Sequence, residues 1–230
     1  MNLRRVRSFV RRDGRMTEAQ ERAFLNQMDL YGLNTETSIE NLKSIFKREA
    51  PCILEIGFGN GTSFFEMAKA HPHKNFIGIE THKPGIGQLL QHIAADSLQN
   101  IRIFYGDAVH VLEKCLPDRS LDVIQIFFPD PWPKRRHHKR RLIQPAFVKW
   151  LSTKLKKGGT LHLATDWQDY AEHMMKVLSE NAEFINAAGR GHYAERSLQR
   201  PITTKFEARG TKEGRFIWEL CFFMSNPPYF

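Results

Sequence analysis

Three acidic residues and three glycines in this chain recur at the ends of short apolar runs, where side chains can hold a nucleoside-bearing ligand. The glycines form Glu55-Ile56-Gly57-Phe58-Gly59-Asn60-Gly61, directly after Cys52–Ile56. Glycine in such a place lets the backbone turn tightly and approach a ligand at the start of the next helix. Glu80 stands nineteen residues after Gly61, at the end of the next apolar run, where a carboxylate can take both hydroxyls of a ribose. Asp107, in Gly106-Asp107-Ala108, follows the third run and can accept from the exocyclic amine of adenine. Together these features fit a nicotinamide dinucleotide about as well as S-adenosylmethionine. Two details separate the ligands. The spacing is GxGxG, so the GxGxxG arrangement that holds a pyrophosphate is not reproduced. Glu55 would sit badly beside a pyrophosphate but well beside an ammonium or sulfonium group. Any one acid could be a helix cap or a surface charge. Acids at the same end of three consecutive strands favour S-adenosylmethionine, because ligands bind that edge of such sheets.

A further acid, Asp130, lies in Phe127-Phe128-Pro129-Asp130-Pro131-Trp132-Pro133-Lys134. Two prolines stiffen the backbone around it and would hold its carboxylate at a strand tip. The alternative is an aspartate that only shapes a turn. The neighbouring charge argues otherwise: residues 134–141, Lys-Arg-Arg-His-His-Lys-Arg-Arg, carry six Lys or Arg and no acid. Residues 1–15 carry six more arginines against one acid, Asp13. Without these two segments the formal charge of +9 becomes −2, so the excess is local. Charge gathered in this way is the footprint of a phosphate polymer. A solvated basic face with a loose arm is the plainer reading.

The elements that must position these residues emerge from patterning. Thr17, with Gln20 three residues on, opens a helix through Met28, and a second helix is expected over Ser38–Arg48. Strands are expected at Cys52–Ile56, Asn75–Ile79, Ile101–Tyr105, Leu121–Phe128 and Thr160–Ala164. Helices between and after them cover Gly61–Ala70, Pro84–Ser97, Ala108–Lys114, Pro145–Leu155 and Trp167–Glu180. This alternation implies βαβ units in a doubly wound α/β fold on a mostly parallel sheet. Phe184–Ala188 and Arg215–Met224 then read as a late antiparallel hairpin around a polar loop, Gly189–Gly214. Residues 1–16 form a basic arm, and residues 17–230 a single domain.

The ordered set Glu-Ile-Gly-Phe-Gly-Asn-Gly, Gly-Ile-Glu, Phe-Pro-Asp-Pro-Trp-Pro-Lys with its basic run, Ala-Thr-Asp at 164–166 and Thr-Lys-Phe-Glu at 204–207 resembles the bacterial tRNA (guanine-N7)-methyltransferase family. The opening Arg-Ser-Phe-Val-Arg-Arg, with Gly14-Arg15-Met16-Thr17, is similar to that family's arm. The resemblance implies a class I methyltransferase with a seven-stranded sheet and methylation of guanine N7 in the variable loop of tRNA. It implies that Glu55, Glu80, Asp107 and Asp130 bind S-adenosylmethionine, Asp130 being also the catalytic residue, with Gly57, Gly59 and Gly61 in the cofactor turn. Lys134, Asp166, Thr204, Lys205, Phe206 and Glu207 match substrate-binding positions. Arg136, His137, His138, Lys139, Arg140 and Arg141 match the RNA-contacting segment. Pro133 departs from the pattern, since histidine is frequent there.

The partner expected is tRNA, with no membrane, no metal and no obligatory protein partner. No run reaches the roughly 18 apolar residues that a membrane span requires. Cys52, Cys115 and Cys221 form no CxxC, which disfavours a disulfide framework or thiolate zinc site and fits a reducing cytoplasm. The arginine-rich start also has some likeness to a mitochondrial transit segment, a lesser reading. Asn226-Pro227-Pro228-Tyr229 imitates the signature of amino-group methyltransferases, but the Asp130 turn already occupies that motif's place after a strand. Two other functions stay open on the residues alone. One is methylation of another nucleic acid, since fold does not fix substrate. The other is RNA binding without catalysis on a methyltransferase fold.

Overall fold

A computed structural model of the chain describes residues 14–196, Glu207 and residues 212–225. Thr17 opens the first helix as its pattern predicts. Its hydroxyl accepts the Gln20 N–H at 3.2 Å, and the Gln20 side chain accepts the Thr17 N–H at 3.0 Å. The helix, α1 (Glu18–Tyr31), runs a turn longer than expected. The chain then extends as β1 (Gly32–Leu33) before α2 (Leu42–Phe46). The second helix is far shorter than Ser38–Arg48. Asn41 caps it, accepting the Ser44 N–H at 3.0 Å, and Lys47 leaves it in the left-handed region at φ 56°.

The alternating part follows the sequence closely: β2 (Cys52–Ile56), α3 (Thr62–Ala70), β3 (Asn75–Glu80), α4 (Lys83–Asp96), β4 (Ile101–Tyr105), α5 (Ala108–Lys114) and β5 (Leu121–Phe127). After a 3-10 helix (Arg135–Arg140) come α6 (Pro145–Lys154), β6 (Leu155–Thr165), α7 (Gln168–Ser179), β7 (Phe184–Asn186) and β8 (Trp218–Met224). β6 starts five residues earlier than expected because Leu155 pairs with Leu121 ahead of a register shift. β8 starts three residues later than Arg215, at the point where Trp218 pairs with Thr165.

The sheet order is β1-β4-β3-β2-β5-β6-β8-β7. The pairs from β1 to β6 are parallel, and β8 runs antiparallel to both β6 and β7. The seven expected strands are present, and two-residue β1 adds an eighth at one edge. Both faces are covered. Phe64 and Phe65 of α3 and Ile86, Leu89, Leu90 and Ile93 of α4 pack on one face, with Tyr31 of α1 beside them. Val111 and Leu112 of α5, Phe147 and Leu151 of α6, and Tyr170, Met174 and Leu178 of α7 pack on the other. Burying each such side chain contributes about 1.5–3 kcal/mol, the main force holding helices to the sheet. A buried polar pair lies within the sheet: His162 Nε2 on β6 sits 2.6 Å from Glu219 Oε2 on β8. Strand order reverses beside β2, so the crevice between the β2 and β5 connections is where such a sheet takes its ligand.

Candidate active site

The glycine turn leaves β2 at that crevice. Gly57, Gly59 and Gly61 have φ of 79°, 61° and 74°, a region that side chains with a Cβ rarely adopt. Space above the turn is open on one side and closed on the other. A Cβ on Gly57 would meet nothing within 4 Å, whereas one on Gly61 would lie 2.6 Å from the Leu89 Cβ. Glu80, at the tip of β3, fixes the turn: its Oε2 accepts the Gly59 N–H at 2.8 Å. Its Oε1 accepts the N–H groups of Thr81 and His82 at 2.6 and 2.9 Å. The Thr81 hydroxyl lies 3.4 Å from the same Oε1. Glu80 therefore helps to build the cradle, and Oε2, with one such bond, is its less committed oxygen.

Glu55 is buried in β2, one residue from its end. Asp107 follows β4 and caps α5, its Oδ1 accepting the Val109 N–H at 2.8 Å. The two readings of Asp107, helix cap and ligand acceptor, use different lone pairs and are compatible. The cradle thus fits an adenosine-bearing ligand: an open glycine turn, a carboxylate at each of the next two strand tips, and a buried acid beneath.

The Asp130 turn lies across the crevice, after β5. Phe128 and Trp132 hold φ of 51° and 46°, left-handed values for bulky residues, on either side of Pro129-Asp130-Pro131. Such conformations cost about 1–2 kcal/mol each and persist only where neighbours hold them. Here the neighbours come from the basic run. Arg140 stacks on Trp132, its Cζ 3.9 Å from the ring centroid. Arg141 Nε donates to the Pro131 carbonyl at 2.9 Å. Asp130 itself is exposed at the apex.

The run does not present all of its charge to solvent. Lys134, Arg135, Arg136 and Lys139 are exposed, while His137, His138 and Arg140 are half-buried. Loss of hydration, together with Arg136 and Arg140 nearby, holds His137 below the ordinary histidine range. Arg141 differs from the other residues of the run. Its side chain is 1% exposed and faces the protein, where Asp169 takes one of its nitrogens and the Tyr170 ring lies 4.9 Å away.

Asp166 follows β6 and pairs with Arg215 at 2.6 Å, next to Glu213 on the far side of that arginine. Glu207 is buried and accepts from Arg196 Nε at 2.8 Å. Thr204, Lys205 and Phe206 lie outside the described residues, as do most of the arm and Asn226–Tyr229. Among the described residues no group of three His, Cys, Asp or Glu side chains converges as metal ligands, and no helix is long and apolar enough to cross a membrane.

With this geometry in place, comparison with known proteins decides the family. A tRNA (guanine-N(7)-)-methyltransferase of Nitrosococcus oceani is 54% identical over 219 residues, covering 95% of this chain and 91% of that protein. The chain belongs to the tRNA (guanine-N7)-methyltransferase family. The Alcanivorax borkumensis tRNA (guanine-N(7)-)-methyltransferase is 50% identical across 96% of this chain and 92% of that protein. A profile of the family described as "Putative methyltransferase" matches residues 49–220. Among solved structures, the 16S rRNA methyltransferase KamB superposes with a TM-score of 0.58 at 15% identity, over 82% of this chain and 96% of that one. The aminoglycoside-resistance methyltransferase NpmB1 gives 0.53 at 14% identity, over 81% and 95%. At such identities these structures attest the class I methyltransferase fold alone.

Sequence reasoning missed several residues that build this methyltransferase site. Asp169 and Tyr170 sit on α7 and reach the turn through Arg141, a contact with no local pattern. Gly85 is different, because a signal existed. Glycines at 85 and 87 in a helical stretch are unfavourable without a packing reason. A Cβ on Gly85 would lie 1.9 Å from the Gly59 carbonyl oxygen, so α4 rests directly on the glycine turn.

Proposed function

We propose that this protein transfers a methyl group from S-adenosylmethionine to N7 of a guanine in the variable loop of tRNA, giving 7-methylguanosine. Family membership supports the reaction class, and the observation that carries the reading is the turn after β5. It follows the C-terminal end of β5 with Asp130 exposed and continues straight into the basic 3-10 helix, where Lys134, Arg135, Arg136 and Lys139 are exposed. Glu55, Glu80, Asp107 and the turn of Gly57, Gly59 and Gly61 would hold the cofactor. When bound, it supplies an electrophilic methyl group.

The chain's own residues then have two tasks. Guanine N7 carries an in-plane lone pair and no proton, so no general base is needed. The product ring gains positive charge, and a fixed carboxylate at Asp130 stabilises it and orients the base by accepting from its N1 or N2 hydrogens. Lys134, Arg135, Arg136 and Lys139 hold the phosphates around the target. N7 faces the deep, narrow major groove of an RNA helix, so the target guanine must be unpaired or turned out. Asp166 and the Thr204–Glu207 segment would complete the substrate side. Residues 1–16 would serve as a basic arm beside one catalytic domain, residues 17–230, working in the cytoplasm without a metal or a second subunit.

The test is transfer of radiolabelled methyl to unmodified tRNA transcripts, one of them with adenine in place of the variable-loop guanine. Label on the guanine transcript alone, released as 7-methylguanine, is expected. Cofactor binding without label on either transcript would favour another nucleic acid, and absence of both would favour an RNA-binding protein.

A further inference from the structure

The basic run contains one residue that is unlike the rest. Arg141 points away from solvent, and its guanidinium is enclosed by the protein. Nε donates to the Pro131 carbonyl at 2.9 Å; Nη2 meets Asp169 Oδ2 and lies 3.1 Å from His138 Nε2. The guanidinium lies over the ring of Tyr170, which is fully buried and whose hydroxyl accepts the Ile143 N–H at 3.2 Å. Stripping a guanidinium of water is costly unless its donors are used, and a planar fork uses them in fixed directions. The carbonyl it takes belongs to the residue directly after Asp130. That carbonyl also lies inside a turn whose two ends hold left-handed values at Phe128 and Trp132. The next arginine back, Arg140, holds the Trp132 end through its ring.

We infer that Arg141 is a positioning residue: with Asp169 and Tyr170 behind it, it clamps the Pro131 carbonyl and so sets the direction of the Asp130 carboxylate, and it makes no phosphate contact. The inference rests on the methyl-transfer reading above for its functional consequence, while the clamp itself is a property of the turn. Function divides within eight residues. Lys134, Arg135, Arg136 and Lys139 face outward to RNA, and Arg141 faces inward to the chemistry.

Arg141→Lys is the informative change, because lysine keeps the positive charge and loses the fork. Three readings are taken on the full chain: turnover at saturating tRNA, tRNA affinity across a salt series, and hydrogen exchange of the Asp130, Trp132 and Lys134 amides. R141K is expected to lower turnover at least tenfold, to leave tRNA affinity within twofold with the same salt slope, and to speed exchange in the turn. Arg136→Ala, by contrast, is expected to lose about 0.7 of the log–log salt slope for tRNA binding, which R141K keeps. Should R141K fold poorly by thermal melting, Asp169→Asn releases the same guanidinium and must show the same split. Wild-type turnover and exchange in either variant would overturn the inference, and so would loss of affinity and slope in an Arg141→Ala protein that turns over normally. If wild-type protein does not methylate tRNA, the functional reading fails, and the exchange data still judge the clamp.

Discussion

Replacing Gly85 by alanine tests whether the cofactor turn is held from below. The added methyl would lie 1.9 Å from the Gly59 carbonyl oxygen, where carbon–oxygen contacts settle at about 3.3 Å, so helix and turn must part by about 1.4 Å. Overpacking of this kind costs about 1–3 kcal/mol. Alanine returns up to about 1 kcal/mol of helix propensity, less here because Gly85 stands in the first turn of α4. The net is a loss of about 1.5 kcal/mol, which lowers the melting temperature by about 3–6 °C in a chain of this size. The displaced carbonyl belongs to Gly59, whose N–H also binds Glu80, so the cradle shifts as a unit. Losing even one cofactor hydrogen bond of about 1.4 kcal/mol weakens the Kd for S-adenosylmethionine about tenfold. Titration calorimetry and thermal melting read both effects. Gly87→Ala is the control: its Cβ would meet the Gln20 carbonyl at 2.7 Å, on the side of α4 that touches α1 rather than the turn. It should lower the melting temperature without changing cofactor affinity. A G85A protein that binds S-adenosylmethionine as tightly as wild type, at an undiminished melting temperature, would refute the contact.

Other consequences can be checked alongside. Asp130→Ala should lower turnover by about 10²-fold, the usual scale for one electrostatic stabiliser, with little change in cofactor Kd; equal losses in both would make Asp130 a cofactor ligand only. Alanine at Lys134, Arg135, Arg136 and Lys139 together should remove about 2.8 from the salt slope for tRNA binding, and adding Arg141→Ala should remove nothing further, whereas a phosphate contact at Arg141 would take about another 0.7. A fluorescence-anisotropy series from low to moderate salt separates the two. His173 is held below its ordinary range first by burial, despite its 2.7 Å contact with the Ile143 carbonyl. The unfolded chain therefore takes up that proton first, and the contribution of His173 to stability is lost as pH falls below about 6.5 toward the lower folded value. His173→Gln should show a shallower fall in urea midpoint between pH 7 and pH 5, and parallel curves would count against this.

Legibility in the sequence followed the range of the interaction. The β2 glycine turn, the acids at strand tips and the Thr17 capping box are set by residues within a few positions of one another, so pattern and chemistry could find them. Asp107 was ambiguous between cap and ligand, and the structure gives it the cap while leaving the other oxygen's chemistry open to a ligand. The extent of α2 was misjudged because apolar spacing over Ser38–Arg48 says nothing of Asn41 capping within it. The inward orientation of Arg141 was not legible for a deeper reason. In sequence it is the last of six like charges, and only α7, some thirty residues later, turns it inward. Gly85 likewise depends on a helix meeting a loop across the crevice, although its presence in a helix was a visible oddity.

The placement of β7 bears on how the molecule can be made. Among the described residues, β7 pairs with the sheet only through β8, which is inserted between β6 and β7 and is translated last of the eight strands described. During synthesis the parallel strands can assemble as they emerge, but β6 keeps an open edge, and buried His162 lacks Glu219, until residues 218–224 arrive. An unpaired edge on a nascent sheet invites pairing with another chain. The stretch from Ala187 to Ile217 therefore sets a waiting time in which the nascent protein is most exposed to aggregation, and slowing translation there should cost soluble yield more than slowing it anywhere before β6.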